Sequence, residues 1–198
     1  MDHTKATLRQ RLRTERRALS AEQVAERSAV IMRHVANAPF YQRARRIGLY
    51  LPVDNEVDPT SLFHTAAQIG QACFLPVVDP NTRSMDFFPY RPGDPLQPGA
   101  FGIPQPVTAP DRAGSLDIND LDLVVQPLIG FDRTGCRLGF GGGYHDRALG
   151  ARGASPTPIR LGVAYAFQEL PSLPHEPHDI RMGWVATEQG LLCCHEAF

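Results

Sequence analysis

Lysine is all but missing from this chain: of its 20 basic residues, Lys5 is the only lysine and nineteen are arginine. A general preference for arginine accounts for most of that bias. It leaves Lys5 as the one position where a compact ammonium is retained, a hint that its chemistry matters. Cysteine is scarce too, and badly spaced for bridging. Cys73, Cys136, Cys193 and Cys194 form no CxxC pair and no zinc-type ladder. That excludes a disulfide-framed scaffold and points to reduced thiols in a cytoplasmic protein. No apolar run approaches the length that crosses a bilayer, so no membrane partner is expected. The formal net charge of -1 gives no overall pull toward nucleic acid or an acidic surface. Internal repeats and low-complexity tracts are absent as well.

What is present is ordinary globular material. With 42% hydrophobic and 21% charged residues, the 198-residue chain suits one well-buried domain spanning residues 1–198, expected to be a monomer. The basic charge is unevenly placed: 11 of the 20 basic residues precede Ile47, against four acids, Asp2, Glu15, Glu22 and Glu26. Residues 1–38 read as two helices in series packed on the domain. Leu8, Leu12 and Leu19 share a helical face, and Val24, Ile31, Met32 and Val35 continue with similar spacing. Ser20 and Gln23 form a capping-box signature for the second helix, and Pro39 marks its end. Such an Arg-rich start also suits a mitochondrial presequence, but the pattern runs straight into the folded segment.

Strands are expected at 47–51, 72–78, 85–90, 121–127, 160–167, 184–187 and 191–195. Asp58-Pro59 opens a helix whose buried face is Leu62, Phe63, Ala66 and Ile69, and a helix is expected over 144–150. Residues 91–120 form a long Pro/Gly-rich loop, and 153–158 a small Gly/Pro/Ser stretch. Alternating strands and helices with buried strands imply an α/β fold, a mainly parallel sheet flanked by helices in Rossmann-like layers. Ligands of such folds collect beyond the carboxyl ends of strands. Two chemically loaded segments, 52–56 and 128–146, fall at such ends.

The second segment contains Arg137-Leu138-Gly139-Phe140-Gly141-Gly142-Gly143-Tyr144-His145-Asp146. Its glycines expose backbone N–H groups that suit phosphate, and Arg137 adds a forked cation. Asp146 could hold Mg²⁺, which prefers carboxylate and phosphate oxygens. No Gly-Lys-Ser/Thr closes the run, so it is not a Walker A loop, and Tyr144 occupies the third glycine of the dinucleotide fingerprint. The plainer alternative is a tight strand-to-helix connection that needs small residues.

Together with other segments, this loop closely resembles the signature of the 5-formyltetrahydrofolate cyclo-ligase (5,10-methenyltetrahydrofolate synthetase) family. Lys5-x-x-x-Arg9 resembles its amino-terminal nucleotide-binding pair, and 51–56 its folate-contacting segment. Phe101-Gly-Ile-Pro-Gln-Pro106, Gln126-Pro-Leu-Ile-Gly-Phe-Asp132 and Pro174-x-Glu-Pro-His-Asp179 resemble further motifs in the right order. The resemblance implies ATP-dependent closure of 5-formyltetrahydrofolate to 5,10-methenyltetrahydrofolate with release of ADP and phosphate. It implies ATP contacts from Lys5, Arg9, Arg137, Leu138, Gly139, Phe140, Gly141, Gly142, Gly143, Tyr144 and His145. Folate contacts would come from Leu51, Glu56, Phe140, Gly141, Gly142, Gly143 and Tyr144, with Mg²⁺ on Asp146 and Asp179. Arg137 and Glu56 would carry the catalytic roles, Arg137→Ala and Lys5→Ala weakening ATP use while leaving the fold intact. Two departures stand out: some members have a lysine where this chain has Gly142, and His145 replaces the usual second aromatic.

Each of these residues also has a plainer reading. Lys5 and Arg9, at i and i+4, could be a solvated helix face; Glu56 could shape a loop; Asp146 and Asp179 could serve as a first-turn and a turn acid. His175, His178 and Asp179 form a zinc-like cluster that Pro177 keeps off a regular helix. Cys136 beside Arg137 is a reactive thiol or a bystander. Two other functions remain open: a catalytically inactive folate or nucleotide binder, and an RNA-binding module using Arg9, Arg11, Arg13, Arg16 and Arg17.

Overall fold

The computed structural model describes residues 4–108, 114–150, 157–176 and 179–194. Its strands are β1 (Arg46–Gly48), β2 (Ala72–Asp79), β3 (Ser84–Pro89), β4 (Leu96–Pro98), β5 (Pro104–Pro106), β6 (Leu123–Pro127), β7 (Gly130–Phe131), β8 (Arg137–Leu138), β9 (Ile159–Val163), β10 (Trp184–Thr187) and β11 (Gly190–Cys193). The helices are α1 (Lys5–Arg17), α2 (Ala21–Ala36), α3 (Pro39–Arg43), α4 (Thr60–Gln68) and α5 (Tyr144–Gly150). Seven strands make one sheet in the order β11-β10-β9-β6-β1-β2-β3. The inner five are parallel, and antiparallel β3 and β11 close the two edges. The fold is therefore α/β and mainly parallel, with helices on both faces.

Alternation along β6 shows how the layers form. Leu123 and Val125 face a core shared with Ile31 and Val35 of α2, Tyr41 of α3 and Phe63 of α4. Val124 faces the other way, onto Phe87 of β3 and Leu149 of α5. Helix α1 packs on neither face. Its Leu8 and Leu12 join Ile129, Cys136, Leu138, Leu170 and Leu173 in a separate cluster against the small β7–β8 hairpin. That sets α1 across the carboxyl end of the sheet.

Several expectations need correction. Leu19 lies beyond α1; the buried stripe is Leu8, Leu12 and Arg16, at i, i+4 and i+8. Pro39 does not simply end a helix but opens α3 at its first position, where a missing N–H does no harm. Of the strand expected over 47–51 only Ile47 and Gly48 fall in β1, because the chain turns away toward the site after Leu49. The strand expected over 160–167 stops at Val163, and Ala166–Gln168 forms a 3-10 turn. Helix α4 ends at Gln68, which leaves Ile69 exposed at its C-cap. Within 91–120, β4 and β5 form a hairpin that residue periodicity did not reveal. Residues 109–113, most of the 153–158 stretch, Pro177, His178 and His195 lie outside the described residues.

The β7–β8 hairpin is fastened by Asp132, whose carboxylate accepts from the amides of Thr134 (2.9 Å), Cys136 (3.2 Å) and Leu173 (2.9 Å). Its turn needs Gly135, at φ +83, where a Cβ would meet the Met182 carbonyl oxygen at 2.4 Å. Gly135→Ala is expected to destabilise the protein by about 3 kcal/mol, combining left-handed strain with a backbone clash. Urea unfolding measures this; a loss within error of zero would mean the hairpin relaxes freely.

Candidate active site

From β1 the chain runs to β2 and β3 on one side, then returns across β1 to β6, β9 and β10. The strand order thus reverses between β1 and β6. At such a switch point the two following loops part and leave a crevice. The segments after β1 and β6 are the two that carry the candidate residues.

After β1, Asp54 and Asn55 both take left-handed backbone conformations (φ 56 and 57), which these side chains tolerate better than most. The Asn55 amide donates to the carbonyls of Arg16 (3.4 Å), Arg17 (3.4 Å) and Leu19 (3.0 Å), closing the orphaned end of α1. The Asp54 carboxylate meets Arg13 (3.3 Å), Arg16 (3.2 Å) and Arg17. Burial acts to raise its pKa, but the arginines outweigh that and hold it below the usual carboxylate range. Glu56 comes next, 3% exposed. Its Oε2 accepts from the Val53 amide at 3.1 Å, while Oε1 has no hydrogen-bond partner. Burial pushes this carboxyl up to about 7, with Arg16 opposing. Leu51 is half-buried against the main core.

After β6, strand β8 buries Leu138 and delivers Arg137, whose side chain is 7% exposed. Arg137 donates to Asp146 Oδ1 at 2.7 Å and to the Ile180 carbonyl. The Ile180 amide donates to the same Asp146 oxygen at 3.0 Å, which ties the segment following Asp179 to Asp146. Lys5 reaches Asp179 at 2.9 Å and Glu176 at 3.7 Å, and Arg9 donates to the Gly139 carbonyl at 2.8 Å. Arg9 and Arg137 therefore hold the glycine loop at Gly139 and Asp146, while Lys5 is held by the segment that carries Glu176 and Asp179. Lys5 and Arg9 are not a solvated helix face.

Within the loop, Gly141 (φ +102) and Gly143 (φ +65) use conformations that favour glycine. A Cβ at Gly142 would lie 2.9 Å from the Tyr144 ring, so a lysine there would have to displace that ring. A cation is nevertheless close: Arg147 donates to the Gly142 carbonyl at 2.7 Å and lies over the Tyr144 ring at 5.1 Å. Helix α5 has only seven residues, so its dipole adds little to the cations and open amides around the loop. His145 is half-buried. Burial and Arg137 push its pKa down to about 4 against the pull of Asp146, so it is neutral at pH 7. Phe140 is exposed beneath Arg13 (5.6 Å), and Phe101, 72% exposed, meets Tyr144 edge-on at 5.8 Å.

Sequence reasoning missed Asp54, Arg147 and the site-facing place of Phe101. A lone aromatic in a Pro/Gly-rich loop was the available signal for Phe101. The zinc-like cluster includes His178, outside the described residues; among the described ones no group of three or more His, Cys, Asp or Glu could hold a metal. Cys136 is buried against the Leu8–Leu12 cluster, as a bystander thiol would be.

This arrangement defines an α/β protein with one composite polar site at the switch point of its sheet. The chain belongs to the 5-formyltetrahydrofolate cyclo-ligase family, whose sequence model matches residues 1–188. The 5-formyltetrahydrofolate cyclo-ligase of Haemophilus influenzae is 33% identical over 177 residues, covering 87% of this chain and 93% of that protein. The mouse protein of the same name is 29% identical over 193 residues, 95% of each chain. The solution structure of Aquifex aeolicus 5,10-methenyltetrahydrofolate synthetase superposes with a TM-score of 0.82 at 30% identity, covering 98% of this chain and 94% of that one.

Proposed function

We propose that this protein is an ATP-dependent 5-formyltetrahydrofolate cyclo-ligase that forms 5,10-methenyltetrahydrofolate, ADP and phosphate. The observation that carries the reading is the meeting, at one switch point, of a cation-ringed glycine loop with a buried, half-satisfied Glu56. The formyl oxygen attacks the γ-phosphorus and ADP leaves; N10 then attacks the activated carbon and phosphate departs. Phosphoryl transfer of this kind depends on positioning and charge neutralisation, and no side-chain nucleophile is needed. Lys5, Arg9 and Arg137 with the loop amides at 139–145 hold the triphosphate. Glu56 orients a polar edge of the folate; Leu51, Phe140 and Tyr144 offer apolar surface to its flat ring.

Asp146 and Asp179 suit Mg²⁺: Asp146 accepts from the amide of Ile180, the residue after Asp179, and each carboxylate already pairs with a cation. Two carboxylates leave most of the octahedron to phosphate and water oxygens, as Mg²⁺ prefers. When bound, the ion would neutralise phosphate charge. The RNA-binding alternative loses support because Arg9, Arg13, Arg16 and Arg17 are engaged by Gly139 and Asp54 of the same chain. Nothing in the site favours an inactive binder. Among the described residues no helix is long and apolar enough to cross a membrane. Unpaired thiols accord with a reducing cytoplasmic setting.

The test mixes purified protein, 5-formyltetrahydrofolate, Mg²⁺ and ATP, and follows methenyl absorbance. An ATP-dependent rise is expected; a folded protein giving none would overturn the reading. In the same assay Lys5→Ala should raise the KM for ATP about tenfold. Its melting temperature should barely move, because a partly exposed pair contributes at most about 1 kcal/mol. Unchanged ATP kinetics would remove Lys5 from the site.

A further inference from the structure

Arg16 is a fully buried guanidinium whose donors are divided unevenly between two acids. Its Nε donates to the Asp54 carbonyl at 2.9 Å and its Nη2 to the Asp54 carboxylate at 3.2 Å. Only Nη1 faces Glu56, and 3.7 Å separates it from Oε1, beyond hydrogen-bond reach. That oxygen is buried and has no hydrogen-bond partner. A buried arginine this close to a buried carboxylate gains most by closing into a paired contact. Asp54, gripped also by Arg13 and Arg17, holds it back.

We infer that Asp54 is a positioning residue: it restrains Arg16 from closing on Glu56, so that one Glu56 oxygen stays uncommitted for an N–H donor on the substrate's heteroaromatic ring. This rests on the reading of Glu56 as the folate contact. Glu56 is faced by Arg13 and Arg16 from α1, by Asp54 on its own turn, and by the Tyr50 hydroxyl, itself beside Tyr165 and Asp58. In that setting Arg16 favours the ionised carboxylate and Asp54 disfavours it. Removing either should therefore shift Glu56 in opposite directions.

The experiment uses the full chain as wild type, Asp54→Asn and Arg16→Met, each checked by thermal unfolding. Asparagine keeps the shape of Asp54 and tolerates its left-handed backbone. Carboxyl carbon NMR follows the titration of Glu56, and kcat/KM for 5-formyltetrahydrofolate is measured against pH. Asp54→Asn should weaken the proton affinity of Glu56 about tenfold or more. It should lower kcat/KM for the folate about tenfold while the KM for ATP stays within about twofold. Arg16→Met should strengthen the proton affinity instead; if it does not fold, Asp54→Asn alone decides. An unmoved Glu56 titration in Asp54→Asn overturns the inference. So does a joint rise of both KM values with an unchanged pH limb, since Asp54 would then merely anchor α1. Absence of turnover in the wild type counts against the cyclo-ligase reading, whereas an unmoved Glu56 titration would still overturn the restraint.

Discussion

Arg137→Ala is expected to lower kcat about a thousandfold or more, the scale at which a transition-state cation acts in phosphoryl transfer. The guanidinium touches Asp146 at 2.7 Å and also fixes the Ile180 carbonyl, so its loss affects two parts of the site at once. On the proposed reading one cation beside the triphosphate disappears, and the segment that carries Asp179 loses a fastening. The fold does not escape either. The Arg137 side chain is only 7% exposed, so removing it strands a partly buried Asp146. A stability loss of about 3 kcal/mol follows from breaking such a pair, where sequence reasoning expected an intact fold. Arg137→Lys separates the two effects. It retains the charge but not the fork that spans Asp146 and Ile180. Turnover of the lysine variant should lie between wild type and alanine, measured well below each melting temperature. Near-wild-type kcat in a folded alanine variant would exclude Arg137 from the chemistry.

The loop around Arg137 was legible in sequence because its features are local. Closely spaced glycines between a cation and a carboxylate describe themselves, whatever surrounds them. The parallel sheet was legible for a similar reason: buried strands separated by helices leave few other layer arrangements. The restraint around Asp54 was not. Arg13, Arg16 and Arg17 read as an exposed basic stripe until tertiary packing lays α1 across the carboxyl end of the sheet. Arg16 in particular occupies a position that helical periodicity gives to a leucine, and only the facing carboxylates make its burial tolerable. The β7–β8 hairpin was hidden because two-residue strands carry no period at all. Arg147 was hidden because its partner is a backbone carbonyl, which leaves no residue-type signature.

Glu56→Gln should exchange activity for stability, and pH separates the two effects. The folded-state pKa of Glu56 is raised from an ordinary 4.5 to about 7, chiefly by burial. A carboxyl raised in this way supports the fold fully below its unfolded value, and that support is lost as pH rises through the folded value. The gap corresponds to about 3 kcal/mol at alkaline pH. The wild type should therefore weaken progressively between about pH 4.5 and 7 at this site. Glutamine cannot ionise, so its variant should match the wild type in acid and exceed it in alkali. The gain will fall short of the full gap, because an amide that accepts from Val53 must turn its NH₂ toward Arg16. Denaturant unfolding at about pH 5 and pH 9 checks this, and a difference independent of pH would mean Glu56 does not titrate between them. Activity should move the other way. An amide NH₂ facing the substrate's ring offers a donor where an acceptor is needed. A drop of about a hundredfold in kcat/KM for 5-formyltetrahydrofolate is expected, carried by the folate and not by ATP. A protein that keeps a half-satisfied carboxylate buried at its own expense in stability has that oxygen available for a ligand.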